Sequence, residues 1–351
     1  MQEQSARSPQ GFEFRGSAGE WFGIWIVNLV LTILTVGIYS AWAKVRRNKY
    51  FYQNTYVAGR NFDYHATGLQ ILIGRIIIIV GFVVFSVVSA IPLVGLVALL
   101  ALLVALPWLL VRSMKFNAQM SSWSNVRFRF LGGYGGAFLT YIVYPILCAI
   151  TLYLTFPFLD RARKRFTMNN HSLGKHGFAF DAPIGGFYRA FFVAAAWIIG
   201  VTLVVVALTF PGIPAIQTAI ESEDPMVIAP MVIGVYVWVF LALIPAATIY
   251  TAMVRNVSLS NLELEGGHAF HSNVSPGRLI WITVSNALIT AVSLGLMLPW
   301  AQVRVARYLA THTILLPGPS LDNFLGQIEA ESTALGDAYT DLEGFEVGMP
   351  V

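Results

Sequence analysis

Cysteine is nearly missing from this chain, and charge is scarce. A lone Cys148 among 351 residues leaves no intrachain disulfide and no cysteine-rich metal site. Charged residues are 11% of the total, against about 25% in a soluble domain. Hydrophobic residues reach 56%, and mean hydropathy is +0.67. These values exclude a disordered chain, a disulfide-stapled secreted domain and a coiled coil. A cleavable signal peptide is not expected either, because the opening MQEQSARSPQGFEFRGSAGE is polar, of mixed charge and without a short apolar core.

Enzyme signatures are also missing. No Gly-x-Ser-x-Gly elbow occurs, and Gly132-Gly133-Tyr134-Gly135-Gly136 lacks the Lys-Ser/Thr of a phosphate loop. The pairs His171/His176 and His268/His271 have no thiol or acid at an established zinc spacing. No acid falls inside an apolar run, which argues against a proton-coupled pump. No catalytic residue, metal or cofactor is therefore expected. Nucleic acid is a poor partner, since each basic cluster abuts a hydrophobic segment.

What the chain does have is long uncharged stretches. Trp21–Ala43, Ile76–Val111, Phe130–Leu159, Ala190–Ile220, Pro225–Val254 and Leu279–Val303 carry no formal charge. About 20 apolar residues suffice for one bilayer crossing. Ile76–Val111 is too long for one span and should fold back at Ile91-Pro92, which gives seven hydrophobic segments. The fold expected is an all-α polytopic helical bundle of seven segments, with a polar stretch 1–20, a membrane domain 21–312 and an acidic, partly disordered tail 313–351.

Two patterns recur within the membrane domain. Asn28, Thr32, Gly37, Trp42-Ala43, Val45-Arg46 and Tyr50 return as Asn286, Thr290, Gly295, Trp300-Ala301, Val303-Arg304 and Tyr308, all at one offset of 258 residues. The second is an aromatic alternation: Phe12-Glu13-Phe14, Phe62-Asp63-Tyr64, Phe128-Arg129-Phe130 and Phe178-Ala179-Phe180. His268-Ala269-Phe270 reads as a degenerate fifth copy. Period-two aromatics next to turn residues suggest short β-hairpins at the membrane surface. A three-segment unit (about 12–127), a second copy (about 128–269) and a partial third (about 270–312) account for both patterns.

These residues resemble the YjgN family of bacterial inner-membrane proteins, a domain of unknown function. The resemblance rests on Phe12-x-Phe14-x-Gly16, Asn28, the run Thr35–Arg46, the run Gly59–Tyr64 and Gly74-Arg75. It covers roughly 12–312 and implies an inner-membrane location without bringing an activity. Members commonly have Pro where Ala41 stands; Pro299 occupies that place in the last copy.

Orientation stays open at this point. Seven true crossings, preferred on segment length, put Arg112, Lys115, Arg127 and Arg129 opposite the cluster Arg161–Lys175, against the positive-inside rule. The alternative makes segments one, four and seven re-entrant, breaking near Gly37, Pro145 and Gly295, with all bases on one side.

Candidate functional residues follow from chemistry in lipid. Asn28, Thr32 and Thr35 share a helical face, as do Asn286, Thr290 and Ser293. Such a stripe either makes interhelical hydrogen bonds or lines a pathway. Arg75 should snorkel to headgroups. Lys44, Arg46, Arg47 and Lys49 interleave with Trp42, Tyr50, Phe51 and Tyr52, the pattern of an interfacial helix that binds anionic lipid. The tail after Leu316 carries net −7, against +11 for 1–312, and could engage a protein partner; a homo-oligomer is a further possibility. The function expected is a channel or transporter for a small solute, ion or lipid, with a non-transporting membrane scaffold as the alternative.

Overall fold

The computed structural model describes residues 8–209 and 225–318, together with Phe324, Gly326 and Ala330. Ten short strands form one closed antiparallel barrel: β1 Gln10–Phe14, β2 Thr55–Val57, β3 Arg60–Tyr64, β4 Ser121–Trp123, β5 Val126–Phe130, β6 His171–Leu173, β7 His176–Phe180, β8 Leu262–Leu264, β9 His268–Ser272 and β10 Thr313–Leu316. Neighbours in sequence are neighbours in the barrel, and β1 meets β10 with Gln10 opposite Leu315.

Two kinds of connection alternate around it. At one end, tight turns join β2 to β3, β4 to β5, β6 to β7 and β8 to β9. Ala58-Gly59 and Ser124-Asn125 have positive φ at both central residues, the geometry that matches strand twist in a two-residue hairpin. At the other end, helical hairpins join each odd strand to the next even one. They are α1 Ala18–Leu34 with α2 Ser40–Gln53, α3 Gly68–Val88 with α4 Pro92–Gln119, α5 Tyr134–Ile150 with α6 Phe156–Asn169, α7 Ile184–Thr209 with α8 Pro225–Leu259, and α9 Pro276–Val292 with α10 Leu298–Thr311. Because odd strands run toward the helices and even strands run away, all the hairpins leave the same end of the barrel.

The junctions follow from local chemistry. Entering the helices, the Ser17 Oγ accepts from the Glu20 N–H at 3.2 Å, and Thr67 with Gln70 forms a full capping box. Leaving α2, α4 and α10, the first residue of the following strand reaches back four residues to a helical carbonyl. Thr55 Oγ1 donates to Phe51 at 2.7 Å, Ser121 Oγ to Asn117 at 2.8 Å and Thr313 Oγ1 to Leu309 at 2.7 Å. These bonds satisfy carbonyls that the helix end leaves open.

Helix length then separates two classes of hairpin. Gly68–Val88, Pro92–Gln119, Ile184–Thr209 and Met231–Leu259 are long and apolar enough to cross a bilayer. In α3 the consecutive residues Ile77, Ile78, Ile79 and Val80 are 55–64% exposed. Four consecutive residues sweep a whole turn, so this helix faces solvent-accessible space all round. In a membrane protein that space is lipid. The other three hairpins are short, and their tips, residues 35–39, 151–155 and 293–297, are five-residue turns. Val36 and Gly37, Leu152 and Tyr153, and Leu294 and Gly295 all adopt positive φ there. Val36 and Leu294 are 93% exposed and Leu152 84%.

The structure corrects the all-α expectation. The protein is not a seven-segment bundle, because its architecture is a closed β-barrel carrying helical hairpins, with four helices among the described residues long enough to span. The fold-back at Ile91-Pro92 stands where sequence placed it, with Pro92 the first residue of α4. The segments Trp21–Ala43, Phe130–Leu159 and Leu279–Val303 each break and return, near Gly37 and Gly295 in the outer two. In the middle one the break is at 151–155, whereas Pro145 sits inside α5 just after a π-helical turn, Leu139–Val143. A π-turn accommodates the missing proline N–H without ending the helix. The aromatic strands exist, yet they are staves of one barrel. The fifth copy is Phe270-His271-Ser272, two residues later than the sequence suggested, since Phe270 is the third residue of β9 as Phe178 is of β7. Thr313–Leu316, within the stretch assigned to the tail, is the strand that closes the barrel. The acidic turn 221–224 and most of the tail lie outside the described residues.

Candidate functional site: an apolar ring on the barrel axis

Each odd strand points its third and fifth residues inward, at two levels. The fifth residues Phe14, Tyr64, Phe130 and Phe180 pack on the base of a hairpin; Phe14, for example, joins Trp21 and Tyr50. The third residues are all phenylalanine. Phe12, Phe62, Phe128, Phe178 and Phe270 form a closed ring in which successive centroids lie 6.3, 6.5, 6.4, 6.3 and 6.5 Å apart. Those separations fall within the range of favourable aromatic pairs. One level further from the helices, the even strands contribute a second ring of Val57, Trp123, Leu173, Leu264 and Leu315, every one buried.

A cavity of about 420 Å³ runs past all five phenylalanines. On the helix side it meets Arg255, Leu309, Ala310 and Thr313, and on the far side Trp123, Leu264, His268 and Phe324. A second cavity of about 490 Å³ touches the helix-side face at Phe12, Phe62 and Phe128, with Phe51, Asn117, Ser121 and His171 around it. On the far side Phe324 is buried against His268, with centroids 4.3 Å apart, and against His176 at 4.9 Å. The Gly318 N–H donates to His268 Nδ1 at 3.0 Å, and a Cβ on Gly318 would collide with the Gly266 carbonyl. Burial, with His176 nearby, holds the His268 pKa below its ordinary 6.5.

The polar stripe highlighted by sequence lies elsewhere. Thr32 Oγ1 donates to the Asn28 carbonyl at 2.6 Å, while Thr35 Oγ1 donates to Leu31 and accepts from the Tyr39 N–H at 2.9 Å. Ser293 Oγ does the same at the other tip, donating to the Thr290 carbonyl and accepting from the Met297 N–H at 3.0 Å. Gly37 and Gly295, with φ of 90° and 91°, donate to the Thr32 and Thr290 carbonyls at 2.8 Å. Asn286 is buried; its Nδ2 donates to the Ala301 carbonyl at 3.2 Å, and its Oδ1 accepts from Arg304 at 2.9 Å. Asn28 is equally buried, and its Oδ1 has no partner. These groups hold hairpin tips and helix contacts.

The remaining sequence candidates make inter-element contacts. Trp42 covers Gly68 and stacks on Tyr39, and Arg46 lies 5.6 Å from the Tyr39 ring. Arg304 lies 5.1 Å from the Trp300 ring. Tyr50 donates to the Ser17 carbonyl at 2.7 Å, Tyr308 accepts from the Ser275 N–H at 3.1 Å, and Arg75 donates to Ser40. None of these residues lines either cavity. The phenylalanine ring was visible in the sequence as an alternation, but only barrel closure brings its five members together. Arg255 and Trp123 carried no sequence signal.

Apolar hairpins on a sealed barrel define a multi-pass membrane protein with an apolar axial lumen. The chain belongs to the family described as "Bacterial protein of unknown function (DUF898)", whose model matches residues 9–342. It is 23% identical over 342 residues to the inner membrane protein YjgN of Salmonella typhimurium, covering 86% of this chain and 87% of that one. The YjgN proteins of Escherichia coli O157:H7 and K12 are each 28% identical over 141 residues, which is 40% of this chain and 35% of theirs. No solved structure matches the chain. The protein is a multi-pass inner-membrane protein.

Proposed function

We propose that the protein is a gated conduit for a small solute, ion or lipid, closed in this state by the five-phenylalanine ring. The ring carries this reading: it lies on the axis of a closed barrel, with a cavity along it and hairpins around one mouth. An apolar constriction excludes water and therefore ions, which makes it a gate without any moving plug. The barrel sits on the cytoplasmic side. The long hairpins carry no Lys or Arg between Arg75 and Arg112 or between Arg189 and Arg255, so their bases gather at the barrel end, the asymmetry that positive-inside topology requires. The basic, aromatic face of α2 then meets anionic headgroups.

A second reading, a membrane scaffold, draws support from the polar stripe, which is spent on hairpin contacts. One experiment separates the two. Ion flux is measured from proteoliposomes holding the wild type or the double variant Phe62→Ser, Phe178→Ser. Wetting the ring should turn a tight protein into a leaky one. A folded double variant as tight as the wild type would leave the scaffold reading standing.

A further inference from the structure

The lumen holds an imbalance of polar chemistry that the ring does not explain. Arg255 sits four residues before the end of α8 and lines the cavity, donating to Thr313 Oγ1 at 2.9 Å. Its Nε is buried without a partner, and none of the ion pairs among the described residues includes it. The helix C-terminus supplies some negative potential to a cation there, yet it leaves the Nε–H unsatisfied. The rest of the wall is mostly phenylalanine, leucine and alanine, and no acidic residue among the described residues lines it. A half-buried cation with no counter-charge among the described residues is costly, and so is a buried unpaired donor. The Arg255 guanidinium calls for an acceptor, and the wall beyond it calls for hydrocarbon.

We infer that the lumen binds an amphiphile with a single anionic headgroup, carboxylate or phosphate ester, and an alkyl chain lying along the phenylalanine ring. The headgroup takes the Arg255 guanidinium, whose planar fork suits a two-oxygen acceptor. The volume of about 420 Å³ falls within the usual range of ligand pockets, about 300–1,000 Å³. This deepens the conduit reading and rests on the same lumen, naming the substrate class. Binding is measured without flux, so the failure of either is seen separately.

The test is binding of radiolabelled dodecanoate to the full chain in phosphatidylcholine nanodiscs, against empty nanodiscs, with unlabelled dodecanoate, dodecyl phosphate, dodecanol and dodecylamine as competitors. Dodecanoate or dodecyl phosphate should compete, and whichever is stronger identifies the headgroup. Dodecanol should compete at least tenfold more weakly, and dodecylamine not at all. Arg255→Gln should lose at least tenfold in dodecanoate affinity while keeping its weak affinity for dodecanol, and Arg255→Lys should retain part of it. Should Arg255→Gln fail to fold, Phe178→Trp narrows the lumen and should weaken dodecanoate and dodecanol alike. No binding above empty nanodiscs, equal competition by the alcohol, or undiminished affinity in folded Arg255→Gln would overturn the inference.

Discussion

The barrel and the hairpins are built on opposite plans from one chain. In the barrel, apolar side chains point inward, as Phe12 and Phe14 do, while Glu13 between them faces out. In the long hairpins the apolar side chains point outward, as Ile77–Val80 show. The difference is one of solvent: the barrel hides hydrocarbon from water, whereas the hairpins offer it to lipid. Backbone groups are satisfied inside each element in both regions, by a closed sheet in one and by helices in the other. The three short hairpins combine the two plans, with apolar tips and basic, amphipathic returns.

Substitutions at matched apolar residues would break this contrast if it is wrong. Leu173 is 1% exposed in the barrel. Leu173→Ala should cost ~2–5 kcal/mol of barrel stability by leaving a cavity, read as a lowered Tm of the detergent-solubilised protein. Leu294, at a tip, looks like a surface residue. If its surroundings were water, Leu294→Asp would be nearly silent. In lipid the change should cost ~2.5–3.5 kcal/mol of insertion, seen as reduced membrane integration, with the barrel's Tm little affected.

Smaller effects sharpen the comparison. Gly295 holds φ of 91°, so Gly295→Val should strain that tip by ~1–2 kcal/mol, while Gly277→Ala, where an added Cβ meets open space, should be tolerated. Both are read as integration efficiency. The smallest effect belongs to pH and should appear only in the barrel. His268 has a folded pKa held below 6.5 by burial. Its contribution to stability is present in full above the unfolded value and is lost as pH falls through 6.5 and the lowered folded value. Tm should therefore drop on moving from about pH 7.5 to pH 5.5. His268→Gln should flatten part of that slope, with His65, also held low by burial, supplying part of the remainder.

How much of this was legible in the sequence depended on range. Local signals read true: the fold-back at Pro92, the glycine turns at 37 and 295, and the aromatic strands. The even strands did not, because Thr55–Val57 or Leu262–Leu264 offers three residues, too few for a period-two pattern. Without them the odd strands read as separate hairpins, and nothing local announces that β1 meets β10 across the length of the chain. The seven-span reading failed because an apolar run records hydrophobicity and not direction. Trp21–Ala43 is long enough to cross, and only the left-handed pair Val36-Gly37 turns it back. The same blindness hid the site. Phe12 and Phe270 are separated by most of the sequence, and Arg255 looks like any base at the end of a hydrophobic helix.

The central claim is that all the hairpins leave one face of a single barrel. It is tested most directly by inserting a small epitope at each tight turn, 58–59, 124–125, 174–175 and 266–267, and probing intact spheroplasts against inverted vesicles. All four epitopes should be reached only in inverted vesicles. Epitopes at 124–125 and 174–175 appearing on opposite sides of the membrane would contradict the barrel and restore an odd number of crossings between them.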